Sequence, residues 1–237
     1  MKPLLCTLAL LAALLPARAD LTIVQKVEGG GPIANMTIKI KGNKVRVEAT
    51  PEITSIIDSK TGEMINLIND KKTVMRISGE QAKAFAGEAL KAVKSDPAAP
   101  KPKLTPTGKK ETINGHETAE YIWQSPQFTA SYWIATKYPD SANIVKQLQT
   151  LNSQSFAQSM GTGTPDFRDF PGVPLKTHVK MGGQEMTSTI TALKTDALNE
   201  TEFSVPKDYK DMKVSDFLGG QGSDAKSGAG AAPSPKP

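Results

Sequence analysis

The sequence predicts a mainly β protein with two helices (α+β). Its strands should form a curved antiparallel sheet of about ten or eleven, an unclosed barrel with the helices on the concave face. Three observations predict this. Apolar and polar residues alternate with a period of two over most of the chain, which marks strands with one buried face and one wet face. Two-residue turns at 42–43, 114–115 and 182–183 join such strands, and only antiparallel neighbours can be connected that briefly. Two stretches switch to helical spacing, and helices inserted into a long meander need a sheet face to pack on. A flat open sheet of this width is disfavoured because twist accumulates from strand to strand.

The elements follow in order. Leu21, Ile23 and Val27 share one parity, with Thr22 and Lys26 on the other. Met36, Ile38 and Ile40 alternate with Thr37, Lys39 and Lys41, and Val45 and Val47 with Lys44, Arg46 and Glu48. Strands are then expected over 53–58, 63–68 and 72–77. A helix should begin at Ser78, where Gln81 completes a capping box. Ala82, Phe85, Ala86, Ala89, Leu90 and Val93 form its apolar stripe. Strands follow at 110–113, 116–124 and 128–137. A second helix starts after Asp140 or Ser141, with Ile144, Leu148 and Leu151 on one stripe and Phe156 and Met160 rotated from it. A hairpin over 173–181 and 184–194 ends the sheet.

Three segments fall outside this pattern. Met1 and Lys2, the apolar run Leu4 to Leu15 and the small-x-small site Ala17-Arg-Ala19 read as a secretory signal peptide over 1–19, too short for a stable membrane anchor. Residues 95–108 carry Pro97, Pro100, Pro102 and Pro106 and read as an extended linker. Residues 219–237 are Gly, Ala, Ser and Pro with almost nothing to bury, and read as a disordered tail. Residues 20–218 then form one β-rich domain.

Composition excludes several function classes. The only cysteine, Cys6, lies in the leader, so the exported chain has no thiol for disulfides, nucleophilic catalysis or metal thiolates. Lys2 and Arg18 also leave with the leader, so 27 basic residues face 24 acidic ones, and the lysines are scattered without aromatic partners. That pattern argues against nucleic acid. No transmembrane segment is expected in the exported chain, no cofactor is implied, and oligomeric state is unspecified. The sequons at Asn35 and Asn199 are short enough to arise by chance.

Chemical motifs are sparse. The two histidines, His116 and His178, have no partners at triad or zinc spacing and read as surface residues. Asp58 to Glu63 has Lys60 where a calcium loop needs an oxygen ligand, so it reads as a hairpin turn. Gly161 and Gly163 lack the remaining glycine of a dinucleotide fingerprint. The stretch Pro165 to Gly172 is the most unusual. It reads as a rigid connector whose Phe167 and Phe170 plug an edge of the core while Arg168 pairs with Asp166 or Asp169. A lid is the alternative. Met36, Ile38, Ile40, Val45, Val47, Met75, Ile77, Phe85 and Leu90 form a candidate apolar ligand face, and an ordinary helix-filled core is the other reading of it.

The strand pair Ile38-Lys-Ile-Lys-Gly-Asn-Lys-Val-Arg-Val47, with Ile56-Ile-Asp58 and Gly62-Glu-Met64, resembles a secreted bacterial family defined by domain of unknown function 4412. The run Asp70 to Ile77 and the ending Phe203-Ser-Val-Pro-Lys-Asp-Tyr209 extend the likeness over most of residues 21–212. That family in turn resembles the LolA/LolB-like periplasmic lipoprotein carriers, whose unclosed barrel is plugged by helices over an apolar cavity for acyl chains. Those carriers open with a long helix, whereas Leu21 to Val27 reads as a strand here, and no tryptophan accompanies Arg46 on its strand.

The resemblance implies an exported, periplasmic or extracellular, non-enzymatic binding or carrier protein for an apolar ligand such as a lipid or a lipidated protein. The first helix (Phe85, Leu90, Val93) would be a movable plug over the inner face. A cell-envelope scaffold or assembly factor that binds another protein is the alternative. The leader gives a direct test. Intact-mass measurement of the exported protein under denaturing conditions should find Asp20 as its first residue; retained Met1 or a covalently attached lipid would contradict the reading.

Overall fold

The structure is a computed structural model that describes residues 20–29, 35–92, 102–125, 128–152, 165–214 and 216. The expected leader 1–19, the first half of the linker (95–101), the Phe156–Met160 pair, Gly161, Gly163 and the tail 219–237 lie outside the described residues. The elements in chain order are β1 (Leu21–Glu28), β2 (Asn35–Lys41), β3 (Lys44–Glu48), β4 (Ile53–Asp58), β5 (Met64–Ile68), β6 (Thr73–Ile77), α1 (Gly79–Ala92), β7 (Thr105–Ile113), β8 (His116–Gln124), β9 (Phe128–Ala135), α2 (Ser141–Leu148), β10 (Val173–Met181), β11 (Gln184–Lys194) and β12 (Lys210–Met212).

All twelve strands join one sheet in the order β12-β6-β5-β4-β3-β2-β1-β11-β10-β9-β8-β7. The sheet is curved and does not close, because β7 and β12 are its edges. It consists of two meanders, β1 to β6 and β7 to β11, fused where β1 pairs antiparallel with β11. The turns do what their sequences predicted. Gly42, Gly115 and Gly182 adopt positive φ in the three tight hairpins. At the β4–β5 turn, Asp58 Oδ1 accepts from the backbone N–H groups of Lys60 (2.8 Å) and Thr61 (3.0 Å), a local Asx arrangement that needs no cation.

Two boundaries differ from the sequence reading. β7 begins at Thr105, inside the stretch expected to be linker. Its register shifts between Pro106 and Lys110, a bulge that absorbs the missing proline N–H, with Gly108 at φ 82°. The twelfth strand is three residues long and parallel to β6, held by the Lys210 N–H donating to Lys72 O at 3.0 Å. A strand that short leaves no periodic signal.

The helices differ in what they cover. α2 and the 3-10 turn Gln149–Asn152 place Ile144, Leu148 and Leu151 in one buried cluster with Leu21, Ile23, Ile38, Ile40, Val45 and Ile57 of the first meander and Ile113, Ala135, Val173, Leu175 and Ile190 of the second, so α2, which lies against β10, fills the concave face where the two meanders meet. α1 starts with the expected capping box: the Gln81 N–H donates to Ser78 Oγ and the Ser78 N–H to Gln81 Oε1. Gly79 passes so close to the β4–β5 turn that a Cβ there would lie 2.1 Å from Thr61 O. Phe85 of α1 is 52% exposed, and no described α1 side chain enters a buried cluster. The stretch Pro165–Gly172 is the aromatic plug that its sequence suggested. Phe170 is buried edge-on to Tyr132 at 5.1 Å, Phe167 packs tilted against Phe170 at 5.0 Å, and Arg168 pairs with Asp166.

The outer face of β2 to β6 is covered by the chain after β11. Phe203 is buried with Ile56, Leu67 and Val74, and Leu198, Val205 and Tyr209 pack around them. Polar bonds fasten this strap. Lys41 Nζ donates to Asp20 Oδ2 and Leu198 O, both at 2.9 Å, and the Leu198 N–H donates to the same carboxylate at 2.8 Å. Lys39 Nζ donates to Glu202 Oε2 at 2.7 Å, and Arg46 Nη1 to Glu202 O at 2.8 Å. The first described residue, the outward lysines and the C-terminal strap thus form one network. Asp20 is only 5% exposed within it.

Two outcomes test this packing. Leu148→Ala should cost about 2–5 kcal/mol in urea unfolding, as a buried leucine truncated beneath a helix does. The second concerns the strap. The Lys39 hydrogen bond holds the Glu202 carboxyl below its ordinary value, although burial opposes the shift. A carboxyl with a lowered folded pKa stabilises the protein above its unfolded pKa and loses that stabilisation as pH falls through the folded value. Between about pH 5 and 3 the melting temperature of the wild type should therefore fall more steeply than that of Glu202→Gln. Parallel slopes would contradict the strap role.

Candidate functional site

Strand register sorts the residues of the inner face into three rows. One runs Leu21, Ile40, Val45, Ile57, Met64 and Ile77 across β1 to β6, each directly opposite the next. The second runs Ile23, Ile38, Val47, Ser55, Asn66 and Met75. The third includes Gln25 opposite Met36 and, farther on, Ile53, Ile68 and Thr73. Successive residues of a strand face opposite sides, so these rows face away from the outer strap.

Burial changes along the first row. Leu21, Ile40, Val45 and Ile57 are buried beneath α2, while Met64 and Ile77 are only half-buried. In the third row Ile53 is 45% exposed and Ile68 is half-buried. The inner face thus has a filled end at β1 to β4 and a more open apolar end at β5 and β6, with the exposed Ile53 of β4 beside it. The open end also carries polar groups. Ser55 Oγ donates to Asn66 Oδ1 at 2.6 Å, and the hydroxyl of Thr73 is buried without a hydrogen-bond partner.

The residues proposed from sequence as an apolar ligand face divide accordingly. Ile38, Ile40 and Val45 belong to the core that α2 fills, and Met36 and Val47 pack half-buried against it. Met75 and Ile77 continue the face onto β6, where Met75 is buried outside all three clusters. Phe85 points to solvent, and the Leu90 side chain lies outside the described residues. Sequence reasoning missed Ile53, Met64, Ile68, Asn66 and Thr73. The signal for them was present in the register, because each stands opposite a residue of the proposed face or one row beside it.

The titratable groups are engaged elsewhere. Contrary to a surface placement, both histidines are half-buried: His116 stacks on Tyr138 with ring centroids 4.5 Å apart, and His178 Nδ1 lies 2.9 Å from Thr187 Oγ1. Glu120 is a buried carboxylate on β8. Burial alone would raise its pKa, but hydrogen bonds from Thr107 (2.7 Å) and Ser131, with Lys109 nearby, hold it below the ordinary range. It anchors the bulge of the β7 edge. Among the described residues no group of three His, Cys, Asp or Glu side chains could hold a metal ion. No described helix is long and apolar enough to cross a membrane. A groove of about 340 Å³ lies beside the start of β7, but Lys103, Thr105, Thr107 and Gln124 line it together with Pro106 and Ile122, a wall too polar for an aliphatic chain.

The family model described as Domain of unknown function (DUF4412) matches residues 21–209, and the chain belongs to that family. No curated protein matches the chain. Among solved structures it is similar to PNGF-II at 12% identity and a TM-score of 0.41, over 85% of this chain and 32% of that one, so it spans about a third of that protein. It is also similar to the Mycobacterium tuberculosis lipoprotein LppX at 10% identity and a TM-score of 0.40, covering 76% of this chain and 88% of that one. LprF from Mycobacterium bovis is similar at 12% identity and a TM-score of 0.32, with 81% and 90% covered.

Proposed function

We propose that this member of the DUF4412 family is an exported, non-enzymatic binding or carrier protein for an apolar ligand, a lipid or the acyl chains of a lipoprotein, acting in the periplasm or outside the cell. One observation carries the reading. The cross-strand row Leu21, Ile40, Val45, Ile57, Met64 and Ile77 is apolar throughout, yet its last two members are only half-buried. Half-buried methionine and isoleucine that continue a core row offer an aliphatic chain a surface already aligned with the core. Each methylene buried there would contribute about 0.8 kcal/mol, so even a partly occupied face would retain a long chain. The apolar run Leu4 to Leu15 and the absence of cysteine after Cys6 support the location.

Native mass spectrometry of protein taken from its own cell envelope should show a lipid-sized adduct. Ile77→Asp should remove the adduct by placing a charge on the half-buried end of the row while sparing the core beneath α2, with circular dichroism confirming the fold. A clean apo mass, together with no binding of fatty-acid or lipopeptide probes, would overturn the carrier reading and favour a scaffold that binds another envelope protein.

A further inference from the structure

Resting on the reading of the inner face as an acyl site, we propose that its β5–β6 end recognises the ester carbonyl of a glycerolipid chain, through the hydroxyl of Thr73 and the side-chain amide of Asn66. Two side-chain donors at this end have no protein partner among the described residues, and the Thr73 hydroxyl is the buried one. Ser55 Oγ donates to Asn66 Oδ1 at 2.6 Å, which fixes the amide and leaves its two N–H donors without a partner among the described residues. The Thr73 hydroxyl is buried and unpartnered. A buried polar group in that state forfeits the hydrogen bonds it had in water. Thr73 as a residue is only half-buried, and a change of its χ1 rotamer is the motion that would bring its hydroxyl to the open face.

The two donors stand together. Asn66 lies opposite Met75 and Ile68 opposite Thr73, which makes Asn66 and Thr73 diagonal neighbours on one face. Met64, Ile68, Met75 and Ile77 surround them on the same face. The complement of this patch is an acceptor that brings no charge and ends a hydrocarbon chain. A carbonyl oxygen with two lone pairs fits. A free carboxylate fits poorly, because a buried charge needs a cationic partner. The nearby cations Lys39, Lys41, Arg46 and Arg76 stand on strand positions that face the outer side. A bare alkyl chain would leave both donors unpaired. The ester of an acylated glycerol meets every requirement.

Isothermal titration calorimetry of the purified chain with 1-monopalmitoylglycerol and 1-O-hexadecylglycerol tests this, since the two share chain length and glycerol head and differ in the carbonyl. The ester should bind about tenfold more tightly. In Thr73→Val that ratio should fall toward one, and Thr73→Ser should restore it. Asn66→Leu should lower it as well, and it reads the same ratio if Thr73→Val does not fold. Equal binding of the two probes by the wild type, or an undiminished ratio in both Thr73→Val and Asn66→Leu, would overturn the carbonyl site and leave the carrier reading standing. Binding of neither probe would overturn both.

Discussion

The architecture depends on β1 being hydrogen-bonded along both sides. It pairs with β2 in the first meander and with β11 at the end of the second. Without the β1–β11 ladder the chain would be two separate small sheets, each with another exposed edge. With it, twelve strands twist as one surface and curl around α2. The register shift between Val24 and Gln25 lies within this seam, where a bulge adds local twist to the strands that must bend most.

Curvature makes the two faces unequal, and the chain covers each differently. The concave side takes one short helix and its 3-10 extension, which join residues of β1 to β4 and of the second meander in one buried cluster. The outer side of β2 to β6 receives the strap after β11, with Phe203 as its apolar anchor and the Lys39, Lys41 and Arg46 bonds around it. Those lysines and the arginine look like a solvated face in a period-2 pattern. Their ammonium and guanidinium groups instead hold carboxylates and carbonyls of the strap, so their aliphatic stems cover the outer sheet.

The same inequality leaves an apolar margin at β5 and β6, with Ile53 of β4 beside it. α2 is eight residues long, about 12 Å. Six strands at nearly 5 Å spacing span about 24 Å. A helix of that length cannot cover every strand of the first meander; Met64 packs at the edge of the cluster that α2 joins, and the half-buried Ile68 and Ile77 lie outside it. The functional reading rests on that margin and on the donors beside it. The histidines and Glu120, the groups a search for catalysis would begin with, are engaged in packing and in holding a bulge.

The sequence by itself determined which residues form strands, how the hairpins turn and which parity of each early strand is apolar, because period-2 alternation and Gly-containing turns are local properties. It also determined the aromatic plug at Phe167 and Phe170, since two phenylalanines between prolines have few places to go. Tertiary structure alone decided that β1 lies beside β11, that β7 starts within a proline-rich stretch, and that a three-residue segment becomes a parallel edge strand. It decided which part of the apolar face is filled and which is half-open, and that Phe85 faces solvent. Those outcomes depend on contacts between segments far apart in the chain. Ile40 and Ile77 have the same alternating pattern and the same side chain, and only the packing of α2 and the second meander around Ile40 makes one of them core and the other margin.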